Sequence, residues 1–342
     1  MPRLLPIAGA AVLGLSAGAF LSHFDLPPAP QISTAIKTLK TLKSGGLAFA
    51  GVAPVQHLAP LRDQPAGVQV FAPEKVAEGV TFLVSIFDGH LTARLVNQSG
   101  DVLHQWPVDF FNLKSDGKTH KYQALIHGAH LYENGDIVAN LDGQSIVRVS
   151  ACGDIVWRND WPAHHSIDID ENGTIWTPLK GEMRTMARVS GSPVNLDRIG
   201  AFDPETGQQI VGIDPVDIFE EAEAEGILTP SRARAEDLIH MNDVEVLRSD
   251  MADAFPLFEA GDILVNNRNL NQMWVLDGTT HLLKWWMTGP MKGAHDPDFQ
   301  PDGTITTLDN RPTTPASPEN GWIGSGGGSR ILQIDPVSRH YD

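Results

Sequence analysis

A unit of short β-rich runs repeats from about residue 79 onward, and its first turn glycine keeps a fixed distance from a histidine. In three units the histidine lies eight residues before the glycine: His127 and Gly135, His165 and Gly173, His295 and Gly303. In a fourth unit His240 lies 21 residues before Gly261, and this spacing becomes eight if the 13 residues 248–260 are an insertion. The shared register indicates one duplicated supersecondary unit.

Each unit has the strand content of a propeller blade. Second and third strand-like runs follow the histidine, as in TIWTPL and RILQID, and a fourth often carries tryptophan, as in HLLKWW. Four strands in roughly 40 to 45 residues predict an all-β fold, specifically a β-propeller. The segment 80–106 is predicted to supply the last three strands of a blade whose first strand comes from the other end of the chain.

The histidine register has a direct consequence in this architecture. First strands of propeller blades line the central channel, so residues at their starts converge on one axis. We therefore predict a histidine cluster at one mouth of the channel, where ligands commonly bind. The alternative is that duplication copied a structural histidine that only makes a hydrogen bond. Outer-strand positions predict that four tryptophans pack between blades instead of stacking on a substrate: Trp106, Trp157, Trp285 and Trp286.

Three regions of the chain are predicted to have different roles. Residues 1–24 predict a signal or transmembrane anchor, because residues 4–22 hold no charge, and Ala17-Gly18-Ala19 offers a cleavage site. Residues 25–50 are predicted to be a stalk linker and residues 51–342 the propeller domain. This organisation predicts an exported, membrane-anchored protein whose propeller faces the periplasm or the cell exterior.

Charge and cysteine content exclude some classes of partner and bond. The chain has 25 basic and 42 acidic side chains, a net charge of −17, which argues against nucleic-acid partners. A single arginine in a pocket can still bind a small anion, because charges beyond about 10 Å are screened. Cys152 is the only cysteine, so no intrachain disulfide can form.

Four segments, in this order, carry a family resemblance: HHSIDIDENGTIWTP, HMNDVEVL, ILVNNRNLNQMWVLD and AHDPDFQPDGTITTLDN. Over roughly residues 79–342 the chain resembles the bacterial arylsulfotransferases, PAPS-independent aryl sulfate sulfotransferases built on a six-bladed propeller. The resemblance implies transfer of a sulfuryl group from an aryl sulfate to a phenol through a covalent sulfohistidine, and no cofactor is expected. About five blades are visible, so a closing C-terminal blade is expected to be missing, which puts catalytic competence in question.

The resemblance assigns roles residue by residue. His295 of the HD motif matches the nucleophile, and Arg268 matches an arginine at a strand end. His240 and Asn242 match the family's H-x-N pair, and His165 matches a further channel histidine. These residue types suit a loose sulfuryl-transfer transition state, in which positioning and electrostatic stabilisation dominate.

Each of these side chains has a chemical task under that assignment. Neutral His295 attacks through one ring nitrogen while its other N–H is held by a carboxylate or a carbonyl, and a protonated His240 or His165 donates to the leaving phenolate. Arg268 supplies a permanently charged donor fork for the peripheral oxygens. Asn242 adds a neutral donor.

Three more residues are expected to contact substrate: His164, His127 and Asp296. The doublet at 164–165 leaves one residue of ambiguity, which the eight-residue register resolves in favour of His165. Asp296 is also expected to orient His295, with a surface aspartate at a turn as an equal alternative.

Two other functions are compatible with the same residues. The first is a non-catalytic exported propeller that binds a ligand or a partner through its channel. The second is a metal- or quinone-dependent oxidoreductase, in which a divalent ion is coordinated by His165, His240, His295 and Asp296. Arg268 next to a cation would be unfavourable, which argues against the second alternative.

Overall fold

The computed structural model describes residues 67–69, 71–88, 90–108, 125–185, 193–216, 218, 237–311, 314–315, 322–323 and 329–342. All of these belong to one compact unit, which spans residues 67–115 and 125–342. The predicted anchor at 1–24 and the predicted stalk at 25–50 lie outside the described residues and stay predictions. Within the described ranges, no helix combines the length and the apolar character that crossing a membrane requires.

Antiparallel sheets, here called blades 1 to 5 in chain order, form most of the described unit. Blade 1 has three strands, β1 (Thr81–Phe87), β2 (His90–Val96) and β3 (Val102–Pro107). Blade 2 has four strands, β4 (Ile126–Leu131), β5 (Ile137–Leu141), β6 (Ser145–Val149) and β7 (Ile155–Asn159). Blade 3 has four strands, β8 (Asp168–Ile169), β9 (Ile175–Leu179), β12 (Arg198–Phe202) and β13 (Gln209–Ile213). A two-stranded hairpin, β10 (Met183–Arg184) and β11 (Val194–Asn195), leaves blade 3 between β9 and β12.

The last two blades repeat this order. Blade 4 has four strands, β14 (Met241–Val246), β15 (Ile263–Asn267), β16 (Gln272–Leu276) and β17 (Leu283–Thr288). Blade 5 has three strands, β18 (Ala294–Phe299), β19 (Ile305–Asp309) and β22 (Arg330–Ile334), and a hairpin of β20 (Thr314–Pro315) and β21 (Trp322–Ile323) lies between β19 and β22 in sequence. Three 3₁₀ turns complete the bounded elements: Pro73–Lys75, Ala252–Ala254 and Arg268–Leu270.

The turn glycine of the repeat occupies a backbone conformation that other residues avoid. Its φ is positive in all four units: 86° at Gly135, 85° at Gly173, 94° at Gly261 and 83° at Gly303. A residue with a Cβ is strained at such angles, whereas glycine is not. The fixed position of this glycine therefore sets where the first hairpin of each blade closes. The predicted insertion at 248–260 lies in that turn of blade 4, between β14 and β15.

Apolar faces of neighbouring blades pack on each other and form the core. One cluster joins blades 3 and 4 through residues such as Trp176, Val244 and Trp274, and a second joins blades 4 and 5 through Leu264 and Phe299. Every residue of β5, β15 and β16 is buried. Strands covered on both faces read as continuous apolar runs instead of alternating ones, as in the ILV of β15 and the MWVL of β16, and the polar ends of these strands, Asn266, Asn267 and Gln272, are buried as well.

The predicted all-β propeller arrangement is confirmed, with five blades in the described part of the chain. The six blades implied by the family resemblance are not seen among these residues. One detail of the prediction was wrong, because β1 lies against the central cavity through Phe82 and Val84. Blade 1 thus contains its inner strand, and the strand it lacks among the described residues is the outer one.

Tryptophans of blades 1, 2 and 4 bond to turns of the blade that follows each of them in the chain. The indole N–H of Trp106 donates to the carbonyl of Gly135 at 3.0 Å, that of Trp157 to Pro204 at 2.8 Å, and that of Trp285 to Pro336 at 3.1 Å. All three rings are at least nine-tenths buried, and none of the three lines the cavity. This arrangement agrees with the predicted packing role.

Candidate active site

The inner strands of all five blades surround one cavity of about 540 Å³. Each blade contributes residues from its first strand, and blade 5 adds Leu308 of β19 and Asn310 just after it. The lining residues are Phe82, Val84, His127, Gly128, Ala129, His165, Ser166, Ile167, Asp168, Asn242, Asp243, Glu245, His295, Asp296, Asp298, Leu308 and Asn310. Equivalent sequence positions therefore meet in space.

Five histidines from four blades form a cluster around this cavity: His127, His164, His165, His240 and His295. His165 is at its centre. Its ring centroid lies 3.9 Å from that of His127, 5.0 Å from those of His164 and His240, and 6.0 Å from that of His295. The eight-residue register thus places the rings together, although His240 and His164 lie outside the cavity lining.

Left-handed backbone turns bring these rings to the axis. His165 and His240 have φ of 55° and 50°, and Asp296, which follows His295, has φ of 51°. Such angles are uncommon for residues other than glycine and cluster at functional sites. These left-handed residues lie at the histidines of blades 3 and 4 and directly after the histidine of blade 5, where each first strand starts.

Buried polar residues on the second strands fix the backbone at the histidines. Asn140 accepts from the Gly128 N–H at 3.1 Å and donates to the His165 carbonyl at 2.8 Å, so it ties blade 2 to blade 3. The hydroxyl of Thr177 donates to Ser166, and the hydroxyl of Thr307 donates to the His295 carbonyl at 2.7 Å. Sequence analysis missed this set, although its members lie four or five residues after each turn glycine.

Replacing Asn140 with alanine should destabilise the protein by about 2 to 4 kcal/mol, since a buried N–H and a buried carbonyl both lose their partner. Urea unfolding monitored by tryptophan fluorescence measures this change. Asn172→Ala, an exposed turn position, is the control and should cost less than about 0.5 kcal/mol. Equal stability of the two variants would contradict the tie between blades.

His295 has one ring nitrogen engaged and one available. Nδ1 lies 3.1 Å from the Gly293 carbonyl oxygen and 2.9 Å from the Asn310 amide. The Gly293 carbonyl can only accept, so it selects the tautomer with a proton on Nδ1 and the lone pair of the neutral ring on Nε2. The Asn310 amide fits this tautomer when its oxygen, and not its nitrogen, faces Nδ1, since the two amide atoms are assigned from the hydrogen-bond network. Burial lowers the pKa of His295, and the charges of Arg268 and His240 lower it further, against the hydrogen bond to Gly293.

The orienting residue of His295 differs from the predicted one. Asp296 lines the cavity but makes no hydrogen bond to the ring, and the groups that hold Nδ1 are the Gly293 carbonyl and the Asn310 amide. Asn310 lies just after β19, and its neighbours in that strand pair with Ala294 and His295. Only the strand register brings it to the ring, so no local motif marks it.

His240 is paired with a carboxylate that the sequence analysis also missed. Both carboxylate oxygens of Asp237 lie 2.9 Å from Nδ1 of His240. Burial would raise the pKa of Asp237, but the hydrogen bond and charge of His240 outweigh it, and the pKa is lowered. Asp237 therefore holds the His240 ring through Nδ1, and Nε2 is the second hydrogen-bonding nitrogen of that ring. The available signal was the acid three residues before the histidine.

The two adjacent histidines at 164 and 165 lie in different environments: His164 is buried and His165 lines the cavity. His164 is 1% exposed and its Nε2 lies 3.5 Å from Asp197, whereas His165 lines the cavity. Their Nδ1 atoms are 2.7 Å apart, so one of them carries a proton and donates to the other. Burial lowers the pKa of His165 far below its ordinary value, and the neighbouring histidines add to this. His165 is therefore neutral at pH 7.

Arg268 and Asn242 flank the cluster. Arg268 begins the 3₁₀ turn after β15, outside the cavity lining, and donates to the Asn269 side chain at 3.3 Å. Its charge reaches His295 and Asp237 and lowers the pKa of both. The amide nitrogen of Asn242 donates to the Ala294 carbonyl at 2.9 Å, so the predicted neutral donor holds backbone beside His295.

The residues whose geometry suits a metal ion differ from the metal ligands that the sequence predicted. Among the described residues, the group whose ligand atoms all lie within 4.8 Å of one another is His127, Asp142 and His165. His240, His295 and Asp296 do not belong to it. Asp142 is already 3.2 Å from Nδ1 of His127 and 3.9 Å from the Lys180 ammonium, so its negative charge is balanced within the protein.

Comparison with known families identifies the family of this chain. A family model described as arylsulfotransferase (ASST) matches residues 128–340. The chain belongs to the arylsulfotransferase family. The match contains four of the clustered histidines together with Arg268, and it begins one residue after His127. The resemblance seen in four sequence motifs is thereby confirmed at the level of the family.

Other comparisons add little to this arylsulfotransferase-family assignment. The chain is similar to hydrazine synthase from Kuenenia stuttgartiensis, with 11% identity and a TM-score of 0.43 over 81% of this chain and 70% of that chain. No curated protein matches the chain.

The arylsulfotransferase-family channel also carries a carboxylate tier, of which sequence analysis named only Asp296: Asp168, Asp243, Glu245, Asp296 and Asp298. Three of its members lie three residues after a clustered histidine, in HSID, HMND and HDPD. Burial raises the pKa of Glu245 to about 9 and that of Asp298 to about 6, and neighbouring carboxylates add to both shifts. The pKa of buried Asp243 is also raised, by burial and by its acidic neighbours.

Proposed function

We propose that the protein transfers a sulfuryl group from an aryl sulfate ester to a phenolic acceptor through a covalent sulfohistidine on His295. Membership of the arylsulfotransferase family supports aryl donors and acceptors of low molecular mass. The observation that carries the proposal is the convergence of imidazoles from four blades on one cavity, with Nδ1 of His295 held by a backbone carbonyl.

In the first half-reaction, Nε2 of neutral His295 attacks the sulfur of the donor. The new N–S bond forms as the bond from sulfur to the aryl oxygen breaks, and the aryl oxygen leaves with the electron pair. The lowered pKa keeps His295 neutral at pH 7, so its lone pair is available. The Gly293 carbonyl accepts from Nδ1–H and stabilises the positive charge that develops on the ring.

His240 is the acid that protonates the leaving phenolate. Asp237 stabilises its imidazolium at Nδ1, and Nε2–H is then the donor. His165 is the weaker candidate, because its lowered pKa leaves it without a proton to donate at pH 7. The structure thus supports one of the two acids that the sequence left open.

In the second half-reaction, a phenol enters the emptied donor site. The neutral His240 takes its proton while the phenol oxygen attacks sulfur, and the N–S bond breaks to restore neutral His295. Arg268 supplies positive charge for the three peripheral oxygens in both transition states. The enzyme returns to its starting protonation state, with one aryl sulfate consumed and one formed.

The test is incubation with 4-nitrophenyl sulfate, first alone and then with phenol. Alone, the protein should release one equivalent of 4-nitrophenol in a burst and gain the mass of SO₃ on the peptide that contains His295. Phenol should then discharge the adduct and allow turnover. Absorbance and peptide mass spectrometry measure the two results.

Absence of both the burst and the added mass would overturn the proposal and leave the non-catalytic binding propeller as the remaining function. A sulfuryl adduct on another residue would support covalent transfer but would contradict the assignment of His295 as the nucleophile. Phenyl phosphate in place of the sulfate is a matched control donor and should leave the peptide unmodified.

A further inference from the structure

Charge in the cavity is divided between its two ends. The clustered histidines lie at the starts of the first strands, whereas Asp168, Asp243 and Asp298 lie three residues further along them and line the same cavity. No lysine or arginine occurs among the described residues that line the cavity. The inner end therefore presents several carboxyl groups without a lysine or arginine in the lining, and Arg248, outside the lining, acts on Asp168.

A buried acceptor without a partner lies on the same wall. Asn242 is 3% exposed, lines the cavity and uses its amide nitrogen for the Ala294 carbonyl. Its carbonyl oxygen has no hydrogen-bond partner among the described residues. A buried carbonyl oxygen can only accept, so this position favours a ligand that brings an N–H or O–H donor.

Apolar side chains belong to the same cavity lining as the histidines and the carboxyl groups. Phe82 and Val84 of blade 1, Ile167 of blade 3 and Leu308 of blade 5 all belong to its lining. An aryl ring suits such a wall, with its phenolic oxygen toward the histidines and its other substituent toward the carboxylates.

The spacing of the carboxylates favours an organic cation over a metal ion. Within the described chain, no three of them bring ligand oxygens within 4.8 Å of one another, the span that a single ion requires. An ammonium group on a flexible arm needs fewer oxygens, and each of its three N–H groups can bind a separate acceptor.

We propose that the inner end of the cavity is a subsite for a protonated amine, so that the preferred phenolic substrates carry an alkylammonium group opposite the hydroxyl. This inference rests on the proposed sulfuryl transfer and narrows its substrate class. Burial and mutual repulsion raise the pKa of Glu245 and Asp298, and the positive charge of an ammonium group favours their ionised forms and so opposes both effects.

Three phenols whose substituent opposite the hydroxyl is cationic, neutral or anionic test the subsite: tyramine, 4-ethylphenol and 4-hydroxyphenylacetate. Calorimetric titration at pH 8, above the pKa of about 6 of Asp298, should show tyramine binding at least about tenfold more tightly than 4-ethylphenol. The anionic phenol should bind more weakly than both. Equal affinities for tyramine and 4-ethylphenol would overturn the inference.

Variants test whether Glu245 and Asp298 cause the preference for tyramine. The double variant Glu245→Gln/Asp298→Asn should lose the tyramine preference while it keeps the affinity for 4-ethylphenol, which also shows that the cavity is still folded. Glutamine retains an oxygen to accept from the Phe299 N–H, as Glu245 does at 2.7 Å. Asp253→Asn, an exposed carboxylate outside the cavity lining, is the control and should bind like wild type. A preference that survives the double variant would place the amine elsewhere and overturn the subsite.

A turnover assay and a Ca²⁺ titration distinguish the amine subsite from the proposed sulfuryl transfer and from a metal site. Turnover of phenol and tyramine with 4-nitrophenyl sulfate at equal rates and equal KM would refute the subsite and leave the proposed function standing. Preferential tyramine binding without any sulfuryl transfer would refute the function and support the subsite. Stoichiometric binding of Ca²⁺ that excludes tyramine would show a metal site and overturn the inference.

Discussion

Replacement of His295 by alanine should abolish sulfuryl transfer, with kcat/KM for 4-nitrophenyl sulfate reduced by at least about 10⁴-fold. The variant loses the nitrogen that bonds to sulfur, and no neighbouring ring has the same support at Nδ1 from a backbone carbonyl. Initial rates of 4-nitrophenol release measure the loss, and peptide mass spectrometry should show no added SO₃.

The controls for this variant distinguish chemistry from folding. The hydroxyl of Thr307 bonds to the backbone carbonyl of His295, which alanine retains, so β18 should keep its place. His90→Ala, at an exposed position in β2, should retain wild-type rates. Turnover above about a tenth of wild type in His295→Ala would rule out the covalent assignment.

Replacement of Arg268 by alanine should lower kcat by about 10² to 10³-fold, because the peripheral oxygens lose their permanently charged donor in the transition state. Lysine should restore only part of the rate, since a point charge cannot reproduce the planar fork. Steady-state kinetics on Arg268→Ala and Arg268→Lys measure both effects. Arg248→Ala, which removes an exposed arginine outside the cavity lining, should leave kcat unchanged.

The pH profile of Arg268→Ala gives a second readout that a purely structural role would not move. The positive charge of Arg268 lowers the pKa of His295, so its removal should raise that pKa toward the ordinary histidine value. Neutral His295 is the reactive form, and the acidic limb of kcat/KM should therefore move to higher pH. An unchanged limb would show that the guanidinium does not act on His295.

The repeat register predicted which side chains meet, and the structure shows how. His165, His240 and His295 share one position relative to the turn glycine, so a propeller must bring them to one axis. The same reasoning could have found the carboxylate tier, since an aspartate follows each of these histidines by three residues.

Other parts of the site have no local signature. Asn310 reaches His295 from the next strand of blade 5, and Asn140 of blade 2 holds the carbonyl of His165 in blade 3. Both contacts depend on strand register and on how two blades pack, which a periodic pattern does not specify. Asp296, for which orienting His295 was one of two expected roles, makes no hydrogen bond to that ring, because adjacency in sequence does not give adjacency of side chains along a strand.

The sequence by itself determined the all-β repeat, the blade as its unit and the convergence of histidines on one axis, because strand periodicity and turn glycines are local properties of the chain. Tertiary structure alone decided which ring nitrogen of His295 is available, which acid supports His240, and which strand of blade 1 faces the cavity. Those outcomes depend on hydrogen bonds and burial between residues far apart in sequence, and these exist only once the blades have packed around the channel.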